Sequence, residues 1–141
     1  MEQEIDKKMK STSLSSAYKV YNDKELDKQL EDLEKYHNTA DGRVQVWFGL
    51  RTIFNNTDDL IVKTKELADK YNMGIHIHVS ETQKEINDSL DEKGLRPFEY
   101  LEKIGFLGPD VVAAHCVWLS DEEIEIIKKH GVKVSHNPCS N

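Results

Sequence analysis

Four short apolar segments, separated by amphipathic helical patterns, constrain the fold of this chain more than any other feature. The segments are RVQVWFGL (43–50), GIHIHVS (74–80), VVAAHCVW (111–118) and VKVSH (132–136). Strands that alternate with helices in this order predict an α/β fold with a parallel sheet and right-handed crossovers. Two architectures fit this order. One is a small doubly wound sheet, and the other is part of a (β/α)8 barrel, which as a whole needs about 250 residues.

Helix-start signals stand between the predicted strands. Thr82 and Glu85, and again Ser120 and Glu123, have the spacing of a capping box. In such a box a hydroxyl and a carboxylate satisfy backbone N–H groups that the helix leaves unpaired. Pro97 suits the first turn of a further helix. These signals predict where three of the connecting helices begin.

The N-terminal part differs from the rest in its pattern. Residues 1–22 are polar and lack a clear period, whereas apolar side chains recur at helical spacing over 23–36. We therefore divide the chain into a polar lead-in with an amphipathic helix, residues 1–40, and a sheet-forming part, residues 41–141.

Charge and cysteine content exclude several classes of protein. The sequence has 26 acidic residues against 19 Lys and Arg, a formal charge of −7, which argues against nucleic acid and against an anionic membrane surface. No apolar run approaches the roughly 20 residues that span a bilayer. Cys116 and Cys139 do not form a disulfide framework. We expect a cytoplasmic protein.

Ionisable side chains cluster at the ends of two predicted strands. His76 and His78 share one face of the second strand, because side chains alternate with period two. Glu81 opens the following loop, and His115 lies near the end of the third strand. A polar group buried without a partner costs about 2–7 kcal/mol, so these groups either satisfy one another in a core or serve a metal ion. Active sites of α/β proteins gather at this end of the sheet.

The trio His78, Glu81 and His115 suits metal-assisted hydrolysis. A neutral imidazole binds an ion such as Zn²⁺, which lowers the pKa of a bound water to about 7. A nearby carboxylate can move the proton of that water to a leaving group, and a second imidazole can stabilise developing charge. For His76 we expect a buried supporting role instead.

The motifs HxHxxE, AAHC and HNPxSN, in this order, resemble the central part of a metal-dependent amidohydrolase. The branch with adenosine-type deaminases and chlorohydrolases, including 5-methylthioadenosine/S-adenosylhomocysteine deaminases, is the most similar. The resemblance implies a partial (β/α)8 TIM barrel over residues 41–141, about strands four to seven with their helices. It also implies hydrolytic deamination of a small heterocyclic substrate, of adenosine type or related, with a divalent metal, zinc or alternatively iron.

The resemblance implies a role for each matching residue. His78 matches a metal ligand, Glu81 the carboxylate that carries a proton from water to the substrate nitrogen, and His115 a histidine that orients the attacking hydroxide. Asn137 belongs to a loop that shapes the pocket. Arg51 replaces a substrate-contacting histidine of the branch and is expected to bind substrate. An ion pair between Arg51 and a loop acid is the alternative.

The remaining ligands of the family, a His-x-His pair after strand one and an aspartate after strand eight, have no match here. The resemblance therefore implies an incomplete metal site and a fragment that is inactive by itself. The alternative is a non-catalytic half-barrel or assembly module without metal, which could self-associate through open sheet edges. A flavodoxin-like domain is a further option. We expect Trp47, Phe48 and Trp118 to lie in strands and to belong to the core.

Overall fold

The computed structural model of the protein describes residues 30, 31 and 33–141. The chain divides into two compact units, with the boundary between Val46 and Trp47. In the first unit, residues 33–36 are helical and lie at the end of the helix predicted over 23–36. Most of that helix, and all of the polar segment before it, lies outside the described residues.

The first unit also contains one irregular turn. Its residues, α1 (Thr39–Gly42), do not form a regular helix because Ala40 (φ 53°) and Asp41 (φ 59°) have left-handed backbone angles. An isolated antiparallel bridge joins Thr39 to Val44 and closes the turn. The strand predicted from residue 43 therefore begins later than expected.

The second unit is a four-stranded parallel sheet with helices between its strands. The strands are β1 (Phe48–Leu50), β2 (Ile75–Val79), β3 (Val111–His115) and β4 (Lys133–Ser135). The helices are α2 (Asp58–Tyr71), α3 (Gln83–Lys93), α4 (Pro97–Lys103) and α5 (Asp121–His130). The strands are neighbours in chain order, β1-β2-β3-β4. A doubly wound sheet reverses its strand order at a switch point, whereas successive barrel units do not. The predicted partial barrel is confirmed.

One face of the sheet forms the apolar core with the helices. In β2, Ile75, Ile77 and Val79 are fully buried, while His76 and His78 are half-buried on the opposite face. Burying a large apolar side chain stabilises the fold by about 1.5–3 kcal/mol. The largest buried side chains outside the strands are Ile53, Ile61, Ile86, Phe98, Leu101 and Phe106. None of the helices that the structure describes combines the length and apolar composition needed to cross a bilayer.

All four strands are shorter than the sequence predicted, and β1 and β3 differ most from the prediction. Residues 45–47 have no regular structure, and β1 keeps only the three residues that pair with β2. The third strand ends at His115 instead of residue 118, because His115 (φ 74°) and Cys116 (φ 52°) adopt left-handed angles that turn the chain out of the sheet.

The expectation that both tryptophans belong to the core is wrong, although Phe48 is buried. Trp47 is 44% exposed and Trp118 is 47% exposed. Trp47 precedes β1 and its indole covers Gly74, where an added Cβ atom would collide with the ring. Trp118 lies in the loop after β3. Both residues lie outside the strands to which the sequence assigned them.

Glu123 is a fully buried charged residue that joins two helix starts. Its Oε2 accepts hydrogen bonds from Arg96 Nε (2.8 Å) and Ser120 N (3.1 Å), and its Oε1 accepts one from Phe98 N (3.0 Å). Arg96 Nη2 also donates to the carbonyl of Trp118 (2.7 Å). One carboxylate therefore ties together the starts of α4 and α5 and the loop after β3.

Replacing Glu123 with alanine is expected to lower the free energy of unfolding by about 3–5 kcal/mol, because it leaves a partly buried cation and two backbone N–H groups without their acceptor. Urea unfolding followed by circular dichroism measures the change. Glu125→Ala on the same helix is the control, since the exposed side chain of Glu125 pairs with Lys128. Equal losses in the two variants would contradict the assignment.

Candidate active site

The ends of β2 and β3 bring three of the predicted site residues together. The strand register pairs Val79 with His115, so His78, Glu81 and His115 lie at one rim of the sheet. His115 Nε2 lies 3.5 Å from Glu81 Oε1. The ring centroids of His78 and His115 are 5.3 Å apart. The three side chains therefore converge as the sequence predicted.

Left-handed backbone angles let the chain leave the sheet at this rim. Ser80 (φ 55°), His115 (φ 74°) and Cys116 (φ 52°) all have them. Such angles cost of order 1–3 kcal/mol each in a non-glycine residue and persist only when the surroundings fix them. Here the carbonyl of Ser80 accepts the N–H groups of both Val117 and Trp118, each at 3.0 Å. The two loops therefore hold one another in place.

A single backbone carbonyl orients His78. The oxygen of Arg51 lies 2.9 Å from the backbone nitrogen of His78 and 2.9 Å from its ring Nδ1. A carbonyl oxygen only accepts hydrogen bonds, so Nδ1 carries a proton and the neutral ring has its lone pair on Nε2. Metal-binding histidines commonly donate their other ring N–H in this way. Nε2 of His78 is therefore prepared for a ligand role.

Asn141, for which the sequence predicted no role, orients His115. Its Nδ2 donates to the carbonyl of Asn137 (2.9 Å), so its Oδ1 is the atom 2.8 Å from His115 Nδ1. Because an amide oxygen only accepts, His115 Nδ1 carries a proton, and Nε2 of the neutral ring presents a lone pair to Glu81. Two proton acceptors thus face each other across the site. The only sequence signal for Asn141 is its place in the HNPxSN motif.

The loop after β4 is attached to the same histidine at a second point. His136 Nδ1 donates to the backbone carbonyl of His115 (3.1 Å). Asn137, predicted to shape the pocket, is the next residue in this loop, and its carbonyl accepts hydrogen bonds from Ser140 and Asn141. The structure thus brings the predicted pocket loop against the site.

Two further predicted residues lie at or near the rim. Arg51 is exposed at the end of β1, and within the described part of the chain no carboxylate pairs with its guanidinium. The His76 ring contacts the His78 ring edge-on, with centroids 5.0 Å apart. Burial lowers the pKa of His76, and the neighbouring His78 and His115 lower it further. His76 thus favours the neutral state.

Burial raises the pKa of the Cys116 thiol to about 12, which makes it a poor nucleophile.

These residues fit a metal ion in part. His78 offers a lone pair from a ring already oriented by hydrogen bonding. Over residues 30, 31 and 33–141, however, no group of three or more His, Cys, Asp or Glu side chains is arranged to hold an ion. Open catalytic zinc sites use three protein ligands. An ion at His78 therefore requires ligands from outside the described residues.

Comparison with known proteins gives one family and a group of similar deaminases. The model of the amidohydrolase family matches residues 4–141. The 5′-deoxyadenosine deaminase of Methanobrevibacter smithii is 61% identical over 117 residues, which are 83% of this chain and 27% of that protein. The 5-methylthioadenosine/S-adenosylhomocysteine deaminase of Desulfitobacterium hafniense is 40% identical, over 77% of this chain and 25% of that protein. The chain spans about a quarter of the length of these relatives.

Solved structures show the same likeness. An adenosine deaminase from Xanthomonas campestris with bound zinc has a TM-score of 0.77 and 28% identity, over 84% of this chain and 27% of that chain. An atrazine chlorohydrolase from Arthrobacter aurescens TC1 complexed with zinc has a TM-score of 0.73 and 26% identity, over 81% and 25% of the two chains.

We expect the neutral rings of His78 and His115 to carry their proton on Nδ1, because each Nδ1 faces an oxygen that only accepts. Long-range ¹H–¹⁵N NMR at a pH of about 9, above the ordinary histidine pKa of about 6.5, reports the tautomers directly. In the Asn141→Ala variant, His115 should lose its preference for the tautomer with the proton on Nδ1, whereas His78 should keep it. A proton on Nε2 of His78 would contradict the inferred ligand orientation.

Proposed function

We propose, from the premise that the chain belongs to the amidohydrolase family, that it supplies the proton-transferring side chains of a metal-dependent aminohydrolase. The observation that carries this proposal is the 3.5 Å approach of Glu81 Oε1 to His115 Nε2 beside the oriented ring of His78. The predicted family and its deaminase branch are confirmed by the family match and the similar deaminases. We propose that the barrel part comprises residues 41–141 and that residues 1–40 form a polar lead-in with an amphipathic helix.

The substrate that we propose is a small nitrogen heterocycle of adenosine type, since the similar proteins are named as deaminases of such nucleosides. A divalent ion, zinc as in two similar structures or alternatively iron, would be held by His78 together with ligands from outside the described residues. When bound, such an ion activates a water molecule by lowering its pKa towards 7.

In this proposal Glu81 transfers protons and His115 orients the attacking water. The carboxylate of Glu81 would take a proton from the water whose oxygen bonds to the substrate carbon and would deliver it to the substrate nitrogen, so that the carbon–nitrogen bond breaks and ammonia leaves. The lone pair on His115 Nε2, set by the hydrogen bond between Nδ1 and Asn141, accepts a hydrogen bond and holds the nucleophile in line. Oriented acceptors reduce the reorganisation needed during the reaction.

Arg51 and Asn137 are the substrate-binding residues that we propose. The guanidinium of Arg51 is exposed, and its backbone carbonyl holds His78, so the residue stands next to the metal ligand. A guanidinium is a permanent cation with planar donor geometry, suited to a carbonyl or an anionic group. Asn137 lies in the loop that contacts His115 through His136 and Asn141.

We also propose a cytoplasmic location, in keeping with two free cysteines.

A chimera tests the proposed function. Residues 47–141 replace the matching segment of the Methanobrevibacter smithii deaminase, to which this chain is 61% identical over 117 residues. We expect ammonia release from 5′-deoxyadenosine in the presence of zinc. Glu81→Gln should lower kcat by about 10²–10⁴-fold, because an amide cannot carry the proton. An inactive chimera, or unchanged activity after Glu81→Gln, would contradict the proposal.

A second candidate function is a non-catalytic assembly module. All three residues of β4 are exposed. β1 and β4 are the outer strands of the described sheet, so each has one edge that pairs with no other described strand. Unpaired strand edges favour association with another chain. Light scattering on the intact chain tests this candidate, because a stable dimer favours the assembly module and a monomer contradicts it.

A further inference from the structure

Glu85 makes an unexpected contact with the loop that carries Glu81. It lies in the first turn of α3 and is only 8% exposed. The hydroxyl of Thr82 accepts the N–H of Glu85 (3.2 Å), as the predicted capping box requires. The reciprocal hydrogen bond of a capping box would run from the backbone N–H of Thr82 to the Glu85 carboxylate, but the short hydrogen bond of this carboxylate has another donor. Instead, Oε2 of Glu85 accepts the N–H of Glu81 at 2.8 Å.

The other predicted capping box shows what is unusual here. In α5 the hydroxyl of Ser120 accepts the N–H of Glu123, and the Glu123 carboxylate accepts the N–H of Ser120 in return (3.1 Å). Glu85 occupies the equivalent helix position, yet its hydrogen bond goes one residue further, to the proposed proton carrier. The contact therefore constrains the catalytic loop as well as the helix start.

The surroundings of Glu85 are polar and closed to solvent. Burial raises the pKa of Glu85, while backbone N–H groups of Glu81, Ser80 and Thr82 lower it. Consecutive N–H groups of this kind form a concavity that holds an anion. Within the described residues, Glu85 Oε1 and the hydroxyl of Ser80 are buried without a hydrogen-bond partner. The loop over residues 80–82 therefore surrounds the Glu85 carboxylate, and the Glu81 N–H donates the short hydrogen bond to it.

We propose that Glu85 is a positioning residue for Glu81. By fixing the backbone N–H of Glu81, just after the left-handed turn at Ser80, it directs the Glu81 carboxylate towards His115 Nε2, 3.5 Å away. Only the catalytic consequence rests on the proposed function, because the hydrogen bond exists whatever reaction the site performs.

Amide hydrogen exchange in the intact chain tests the hydrogen bond directly. Glu85→Ala should speed exchange of the Glu81 N–H by about tenfold or more, because that donor loses its acceptor. Glu85→Gln should restore protection, since its amide oxygen can accept the same N–H. Glu92→Ala, an exposed carboxylate on the same helix, is the control and should leave the Glu81 N–H unchanged. If Glu85→Ala speeds the amides of α3 and Glu81 alike, Glu85 is only a helix cap and the proposal fails.

Kinetics in the chimera test the catalytic consequence. Glu85→Ala should lower kcat about 100-fold with little change in KM, because a misplaced carboxylate transfers protons poorly. Glu85→Gln should recover most of the loss. In the Glu81→Gln background, Glu85→Ala should cost nothing further, since the two residues act as a unit. Equal losses in both backgrounds would overturn the proposal. If the unsubstituted chimera is inactive, the proposed function fails, and exchange of the Glu81 N–H alone decides the role of Glu85.

Discussion

The in-register parallel pairing of β2 with β3 is the constraint on which the site depends. It sets Val79 opposite His115, so the residues that follow each strand leave the sheet at the same height. The pairing continues beyond the strands, because Cys116 N donates to Val79 O (3.1 Å) and the next two N–H groups donate to Ser80 O. Strand alternation alone would place the His115 side chain on the face of Val79, opposite to that of His78, and the left-handed angle of His115 (φ 74°) marks where the chain departs from that alternation. The convergence of His78, Glu81 and His115 therefore requires both the sheet register, which sets the height, and the left-handed turns that follow the two strands.

Backbone and amide oxygens then decide where the protons of the site lie. The carbonyl of Arg51 and the side-chain oxygen of Asn141 each fix a proton on Nδ1 of one histidine. Both rings consequently present Nε2 as an acceptor in their neutral form, one suited to a metal ion and one facing the Glu81 carboxylate. A donor such as water is the complement of two converging acceptors. The ends of β2 and β3 thus present two oriented acceptors to one point at the rim of the sheet.

Local signals in the sequence predicted much of this, and long-range contacts explain the rest. The order of strands and helices, the shared face of His76 and His78, and the hydroxyl caps of Thr82 and Ser120 follow from spacing alone. The early end of β3 does not, because the left-handed angles at His115 and Cys116 are maintained by bonds to another loop. The exposure of Trp47 and Trp118 also escaped prediction, since an apolar run cannot show where pairing stops. The contact of Asn141 with His115 spans 26 residues and leaves no periodic trace.

Glu85 and Glu123 occupy the same position in two helices, and their neighbours explain why they behave differently. Glu123 has the guanidinium of Arg96 against one oxygen and three donors in all, so its charge is compensated where it stands. Over the described part of the chain Glu85 has no cation as partner, and backbone N–H groups alone favour its charged form. Such groups lie nearest in the loop before the helix, which draws the carboxylate towards Glu81. Among the described residues, the lack of a cation partner for Glu85 therefore links the helix start to the proton carrier, whereas the arginine beside Glu123 links two helices to each other.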